Sequence, residues 1–345
     1  MRRAVLALLL GSLAACSAGG PQQGMEGGRL AITGAGATFP YPLYSRWFSD
    51  YSRQHPDVAI DYQSIGSGGG IRQLINKTVF FGATDGPMTE EQLRGAGGGI
   101  LHVPTVLGAV VPAYNVPGVE TPLNFTGPLL AEIFLGKVTR WDADPIRQLN
   151  PGVSLPSSDI TVIHRSDGSG TTYIWVDYLS KVSDTWKSQV GVATSVAWPA
   201  GVGGKGNEGV SGLVRQTPGS IGYVELIYAL QNDIDYGAVQ NAAGTFVRAS
   251  LASVTAAAAG AAASIPDDFR VSIVQAPGAD AYPIASFTWI LLREDGGDPA
   301  RARAMVEFLR WALTEGQATA EDLGYARIPP TVAEKAIAAL SRVRT

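Results

Sequence analysis

The pattern that most limits what this chain can fold into is a recurring unit: a short β-rich run, a small polar turn, then a helical stretch. In "RLAITGAGATFPYPLYSRWFSDYS", Leu30 to Thr33 predict a strand, and Pro40 and Pro42 suit a helix start. Leu43, Trp47, Phe48 and Tyr51 then recur at helical spacing. In "VAIDYQSIGSGGGIRQLINK", Val58, Ile60 and Tyr62 alternate as a strand, "GSGGG" reads as a turn, and Ile71, Leu74 and Ile75 start a helix. In "TVFFGATDGPMTEEQL" a strand is expected to end near Phe81, and Thr89 with Gln92 forms a capping box. In "DITVIHRSDGSGTTYIWVDYLSKV", Ile160 and Val162 alternate, a polar loop follows, and Trp175, Val176, Leu179 and Val182 line a helix. Alternating βα units predict an α/β fold with ligands at the carboxyl ends of the strands.

The remainder continues in the same style. "SIGYVELIYAL" predicts a strand and a helix, "SFTWILLR" (286–293) a buried strand, and residues 299–317 a helix with Met305, Phe308, Leu309, Ala312 and Leu313 inward. The alanine-rich stretch 252–266 and the closing "PPTVAEKAIAALSRV" read as helices. A length of 345 residues fits one large domain or two ordinary ones, and 46% hydrophobic with 16% charged residues is globular composition. A net charge of −4 without a Lys/Arg run argues against a nucleic-acid partner.

The opening "MRRAVLALLLGSLAAC" has two arginines, a short apolar stretch and small residues before the single cysteine. Residues 1–15 read as an export signal, too short to span a membrane. Its end resembles a bacterial lipobox, which makes Cys16 the expected lipidation site and residues 16–29 a flexible tether. The expected location is the periplasm or cell surface, membrane-anchored, with no disulfide in the mature chain.

Chemistry concentrates in the small turns. A helix N-terminus leaves backbone N–H groups unpaired and carries partial positive charge, so several aimed at one point make an anion site. The candidates are Thr38 with the Phe39 amide, Ser67, and Arg165 with Ser169, Gly170 and Thr171 in "HRSDGSGTT". Asp85 is an acceptor among donors: it accepts a hydrogen bond from a protonated oxyanion such as phosphate and repels a bare one such as sulfate. Asp167 is placed to orient Arg165. Ser169 as a nucleophile lacks the G-x-S-x-G elbow and a credible base, because only His55, His102 and His164 are present. No catalytic residue, metal ligand or cofactor is assigned. Gly201, Gly203 and Gly206 match a dinucleotide fingerprint, but no clear strand precedes them and no helix with a ribose acid follows, so that match is set aside. Lys205 precedes a glycine, so it belongs to no P-loop.

In this order, "GAGATFPYPLY", "IGSGGGIRQLI", "FGATDGPMT", "RSDGSGTT", "WPAGVGGKGNEGV" and "SIGYVE" resemble the phosphate-binding protein of bacterial high-affinity phosphate ABC transporters. The resemblance implies a two-lobed, type II periplasmic-binding-protein (Venus-flytrap) fold with two hinge strands. Residues 30–105 plus 283–345 would form lobe 1 and residues 106–282 lobe 2, with crossings near Thr105 and Pro283. Inorganic phosphate would sit between Thr38, Phe39, Ser67 and Asp85 of the first lobe and Arg165, Ser169, Gly170 and Thr171 of the second, with Asp167 bracing Arg165. The implied partners are phosphate and the membrane permease subunits of the transporter; the chain would be a monomer and no enzyme. The rival readings are a receptor for another tetrahedral oxyanion, sulfate or arsenate, and a secreted phosphatase or hydrolase. Departures from the family pattern are "GSGGG", where a second Ser is common, a glycine-rich insertion at 95–99 and the alanine-rich 252–264.

Overall fold

The computed structural model describes residues 25, 26 and 28–345; Cys16 and the export signal read at 1–15 lie outside them. In chain order the strands are β1 Met25–Glu26, β2 Arg29–Gly36, β3 Val58–Ser64, β4 Phe81–Thr84, β5 Ile100–Asn115, β6 Asn124–Phe125 and β7 Thr161–Arg165. There follow β8 Val202–Gly204, β9 Ser220–Glu225, β10 Asp235–Tyr236, β11 Ala238–Gln240, β12 Phe246–Val247 and β13 Ala285–Arg293. The larger sheet runs β1-β2-β4-β13-β5-β9-β7-β8, with β3 on β2 and β10 on β5; β12, β11 and β6 form a small second sheet.

β5 organises the molecule. Its sequence, ILHVPTVLGAVVPAYN, is apolar almost throughout, and all but its last residue is buried, as expected of a strand covered on both faces. It pairs antiparallel with β13 as far as Ala285↔Ala109, then with β9 from Val110↔Glu225 to Asn115↔Ser220. The change of partner falls between Ala109 and Val110, a few residues beyond the Thr105 crossing expected from sequence. Parallel β2 and β4 lie on the β13 side, parallel β7 and β8 on the β9 side. The carboxyl ends of β2, β3 and β4 therefore meet those of β7 and β8 across β5.

Helices cover both groups of strands. The helix Tyr41–Gln54 begins with Pro42 in its first turn and buries Leu43, Tyr44, Trp47, Phe48 and Tyr51, the face its spacing predicts. Trp47 Nε1 donates to the Gly316 carbonyl at 2.8 Å, so even this fully buried ring keeps its polar atom paired. The Thr89–Gln92 capping box is present ahead of the helix Glu90–Gly95.

Four local expectations need correction. "GSGGG" is no turn: the helix Ser67–Ile75 starts at Ser67. Glycine is there for room, since a Cβ on Gly70 would overlap the Ala35 carbonyl and the Gly36 Cα at the end of β2. The strand expected to end near Phe81 begins there, and its small residues Gly82 and Ala83 let this helix pack close. The helix read to 317 stops at Leu313, and Gln317 starts a separate turn of helix. The end of the tether is also shorter than expected, because Met25 and Glu26 pair back onto Leu30 and Arg29.

Gly70→Ala gains about 1 kcal/mol of helix propensity. Overlap with backbone that cannot step aside costs about 3 kcal/mol, so the clash wins. Thermal unfolding of this variant is expected several degrees below the parent; an unchanged melting temperature would show that helix Ser67–Ile75 can shift freely.

Candidate functional site

Four strand ends converge on one buried cup, and β8 adds a fifth. β2 leads to Thr38 and the Phe39 amide just before helix Tyr41–Gln54, and β3 leads to Ser67, the first residue of helix Ser67–Ile75. Asp85 directly follows β4. β7 ends on Arg165 and leads to Ser169, the N-cap of helix Gly170–Val182. Thr38, Ser67, Asp85, Arg165, Ser169 and Thr171 are all buried. Gly170 and Thr171 open their helix, where the N–H groups have no carbonyl a turn behind them. A Cβ on Gly170 would overlap Ser67 Oγ and Asp85 Oδ2, so the sites from the two sides of β5 are within contact of each other.

Arg165 is held rigidly. Its Nε donates to Asp167 Oδ1 at 2.8 Å and its Nη2 to Asp167 Oδ2 at 2.5 Å, while Nη1 reaches Thr171 Oγ1 at 3.3 Å. Such a two-point fork fixes orientation as well as charge. Burial alone would raise the Asp167 value, but the Arg165 hydrogen bonds and charge outweigh it and hold this carboxyl below its ordinary range. Asp167 also accepts from the Gly206 N–H at 3.0 Å, which ties the fork to the next helix.

Asp85 is the reverse case. Its Oδ1 accepts from Thr288 Oγ1 at 2.8 Å, and its own N–H donates to Ser67 Oγ at 3.2 Å. Burial pushes its value up to about 7, against the opposing pull of the Thr288 bond, the Arg165 charge and Ser67. The cup thus sets many fixed donors against one carboxyl poised to hold or release a proton near neutrality. That arrangement suits an oxyanion with a shareable proton. Ser169 Oγ accepts from the Thr172 N–H at 2.9 Å, an N-cap bond.

The histidines are occupied elsewhere. His102 Nε2 accepts from the Met88 N–H at 3.1 Å, and burial lowers its value to about 4. His164 stacks on Trp198 and His55 on Tyr51. Among the described residues no group of His, Cys, Asp or Glu is placed to hold a metal ion.

Sequence reasoning missed one junction. The stretch "GVGGKGNEG" shows no clear preceding strand in sequence, yet β8 runs Val202–Gly204 and the helix Gly206–Gln216 follows. Its strand is three residues long, two of them glycine, so it has no alternation to detect. The helix brings buried Asn207 into the cup, with its amide on Thr38 Oγ1 at 2.8 Å and Thr171 Oγ1 at 3.1 Å. Thr288, on β13, and Tyr228, whose hydroxyl donates to the Thr38 carbonyl at 2.6 Å, were also unannounced. Nothing near them in sequence points to the cup.

The two sides of β5 also touch directly. The Gly68 N–H donates to the Gly168 carbonyl at 2.9 Å, and the Asn207 and Tyr228 bonds to Thr38 lie beside it.

Residues 18–315 match the model of the PBP superfamily domain. The phosphate-binding protein PstS of Xylella fastidiosa is 48% identical over 307 residues, 89% of this chain and 84% of that protein. The protein of the same name in Haemophilus influenzae is 46% identical over 303 residues, 88% of this chain and 90% of its own length. Among solved structures, a high-affinity periplasmic phosphate-binding protein bound with phosphate at pH 8.5 superposes with TM-score 0.71 at 20% identity, over 90% of this chain and 94% of that one. A phosphate-binding protein from Stenotrophomonas maltophilia gives 0.70 at 18% identity over 90% and 94%. The fold is the two-lobed α/β fold of the periplasmic binding proteins.

The raised Asp85 value has a cost that can be measured. A carboxyl whose folded value is about 7 against 3.8 adds stability that is complete at low pH and disappears as the pH rises through that interval. Without an anion, Asp85→Asn is therefore expected to be the more stable protein at about pH 8, by on the order of 4 kcal/mol, with the difference vanishing toward about pH 4. Denaturant titrations of both proteins across this range check it; a constant difference would mean that Asp85 is not the group being titrated.

Proposed function

The chain belongs to the phosphate-binding proteins of the PBP superfamily, and from that premise we propose that it captures hydrogen phosphate in this cup and delivers it to the permease of an ABC transporter. The observation that carries the reading is the pairing of a braced, buried Arg165 with a buried acceptor, Asp85, among convergent donors. Arg165, the hydroxyls of Thr38, Ser67, Ser169 and Thr171, and the amides of Phe39 and Gly170 supply donors to the anion's oxygens. Asp85 takes the one hydrogen that phosphate still holds near neutral pH. Sulfate brings no such hydrogen, and its oxygen against an ionised Asp85 is repulsive in a medium where water cannot screen it. Arsenate is protonated like phosphate and is expected to compete.

The lobes of this reading are residues 30–105 with 283–345, and 106–282. Their crossings are near Thr105 and near Pro283, the first within a few residues of the point between Ala109 and Val110 where β5 exchanges β13 for β9. Phosphate enters the open cleft, and closure by hinge bending brings Gly68 onto Gly168 and Asn207 onto Thr38. Net charge is −4, so attraction is local to the cup and not a long-range field. The receptor would act outside the cytoplasm as a monomer, tethered by lipid at Cys16, and would present its closed form to the permease subunits. It would perform no chemistry: the Ser169 hydroxyl caps a helix and the rings of His102 and His164 are committed elsewhere.

Calorimetric titration of the phosphate-stripped chain tests the reading. Phosphate is expected to bind and sulfate to give no heat; Asp85→Asn is expected to relax that discrimination. Gly170→Ala places a methyl against Ser67 and Asp85 and is expected to weaken phosphate by at least about 100-fold, because the bound anion would lose several charge-assisted bonds at once. A wild-type protein that binds neither anion, or that releases product from a chromogenic phosphate ester, overturns the proposal.

A further inference from the structure

We propose that Asn207 is a positioning residue that forces the hydroxyls of Thr38 and Thr171 to act only as donors toward the anion. The inference rests on the phosphate reading and adds to it a device for setting the polarity of the cup. Asn207 is fully buried at the start of helix Gly206–Gln216. Its orientation is not ambiguous: the Glu225 backbone N–H, which can only donate, points at Asn207 Oδ1 at 2.9 Å. The amide nitrogen therefore faces Thr38 Oγ1 at 2.8 Å and Thr171 Oγ1 at 3.1 Å, with one hydrogen for each.

A hydroxyl has one hydrogen and two acceptor positions. Thr38 Oγ1 receives the Asn207 amide and also the Asn207 backbone N–H at 3.2 Å. Thr171 Oγ1 receives the Asn207 amide and Arg165 Nη1 at 3.3 Å. Both hydroxyls thus have both acceptor positions filled by groups that cannot accept in return. Each must send its hydrogen elsewhere, and the buried direction left is the cup. A free threonine hydroxyl would rotate and present its lone pair to a phosphate O–H as readily as its hydrogen to a phosphate O⁻. Two saturated ones cannot. This removes Thr38 and Thr171 as rivals of Asp85 for the proton of the bound anion.

The same bonds couple this polarity to closure. Thr38 follows β2, on the β13 side of β5, whereas Asn207 follows β8, on the β9 side. Only when the two sides meet does Thr38 become an obligate donor. Thr171 is set from within its own side, by Arg165 and Asn207.

The test is a double-mutant cycle read by phosphate titration, with thermal unfolding as the control for folding. Asn207→Ala alone is expected to weaken phosphate by about 10- to 100-fold, the range for a hydrogen bond to a charged group. In a Thr38→Val background, which has no hydroxyl to polarise, the same change is expected to cost at least about 5-fold less. In a Thr38→Ser background, which restores the hydroxyl, the full loss is expected to return. Asn207→Asp supplies a near-isosteric variant should the alanine form fail to fold. Its carboxylate accepts from Thr38 and Thr171 and turns their hydrogens away, so phosphate is expected to fall by at least about 100-fold, again less so beside Thr38→Val. Equal losses in all three backgrounds, or an Asn207→Asp protein that binds phosphate like wild type, overturn the inference and leave the phosphate reading standing. A wild-type chain that binds no phosphate overturns both.

Discussion

One strand has to serve both halves of the larger sheet, and the rest of the molecule follows from that. β5 is too long and too apolar to leave either edge open, because an unpaired buried N–H or C=O is costly. It satisfies its first part with β13 and its last with β9. The parallel strands on each side then run toward the shared line, so their carboxyl ends, and the helix N-termini that follow them, face each other. The cup is a by-product of this geometry before any side chain is considered.

Side chains then decide what the cup holds. Convergent N–H groups and hydroxyls make a generic anion site; Arg165 raises its strength, and Asp167 spends both of its oxygens keeping the guanidinium in place. In the proposed reading Asp85 makes the site selective at the expense of stability, since a buried carboxyl resists ionisation. Glu225, fully buried at the end of β9, is pushed well above its ordinary value mainly by burial, and accepts from the Ile227 N–H at 2.9 Å. The charge of Asp85 adds to that upward push, so an ionised Asp85 opposes ionisation of Glu225.

Legibility varied with the kind of signal. Helix Tyr41–Gln54 announced its buried face through Leu43, Trp47, Phe48 and Tyr51, because amphipathic spacing is written in consecutive residues. "SFTWILLR" announced β13 by unbroken apolarity. "GSGGG" misled because glycine usually marks a turn, whereas here it admits the β2 backbone to within contact of a helix. β8 was invisible, being three residues long and mostly glycine, and with it went Asn207. Thr288 and Tyr228 gave no sign, since what places them at the cup is pairing and packing far along the chain.

By itself, then, the sequence determined the α/β class, the strand–turn–helix junctions and the inventory of donors with Asp85 as their one acceptor. These are local properties, set by spacing, capping and turn chemistry within a few residues. The tertiary structure alone decided that the junctions face one another across β5, that burial brings Asp85 to about 7, and that Asn207 reaches Thr171 on its own side of the cleft and Thr38 on the other. Those depend on which distant backbones pair and on how much water the closed cup excludes, and neither quantity is written in any short stretch of residues.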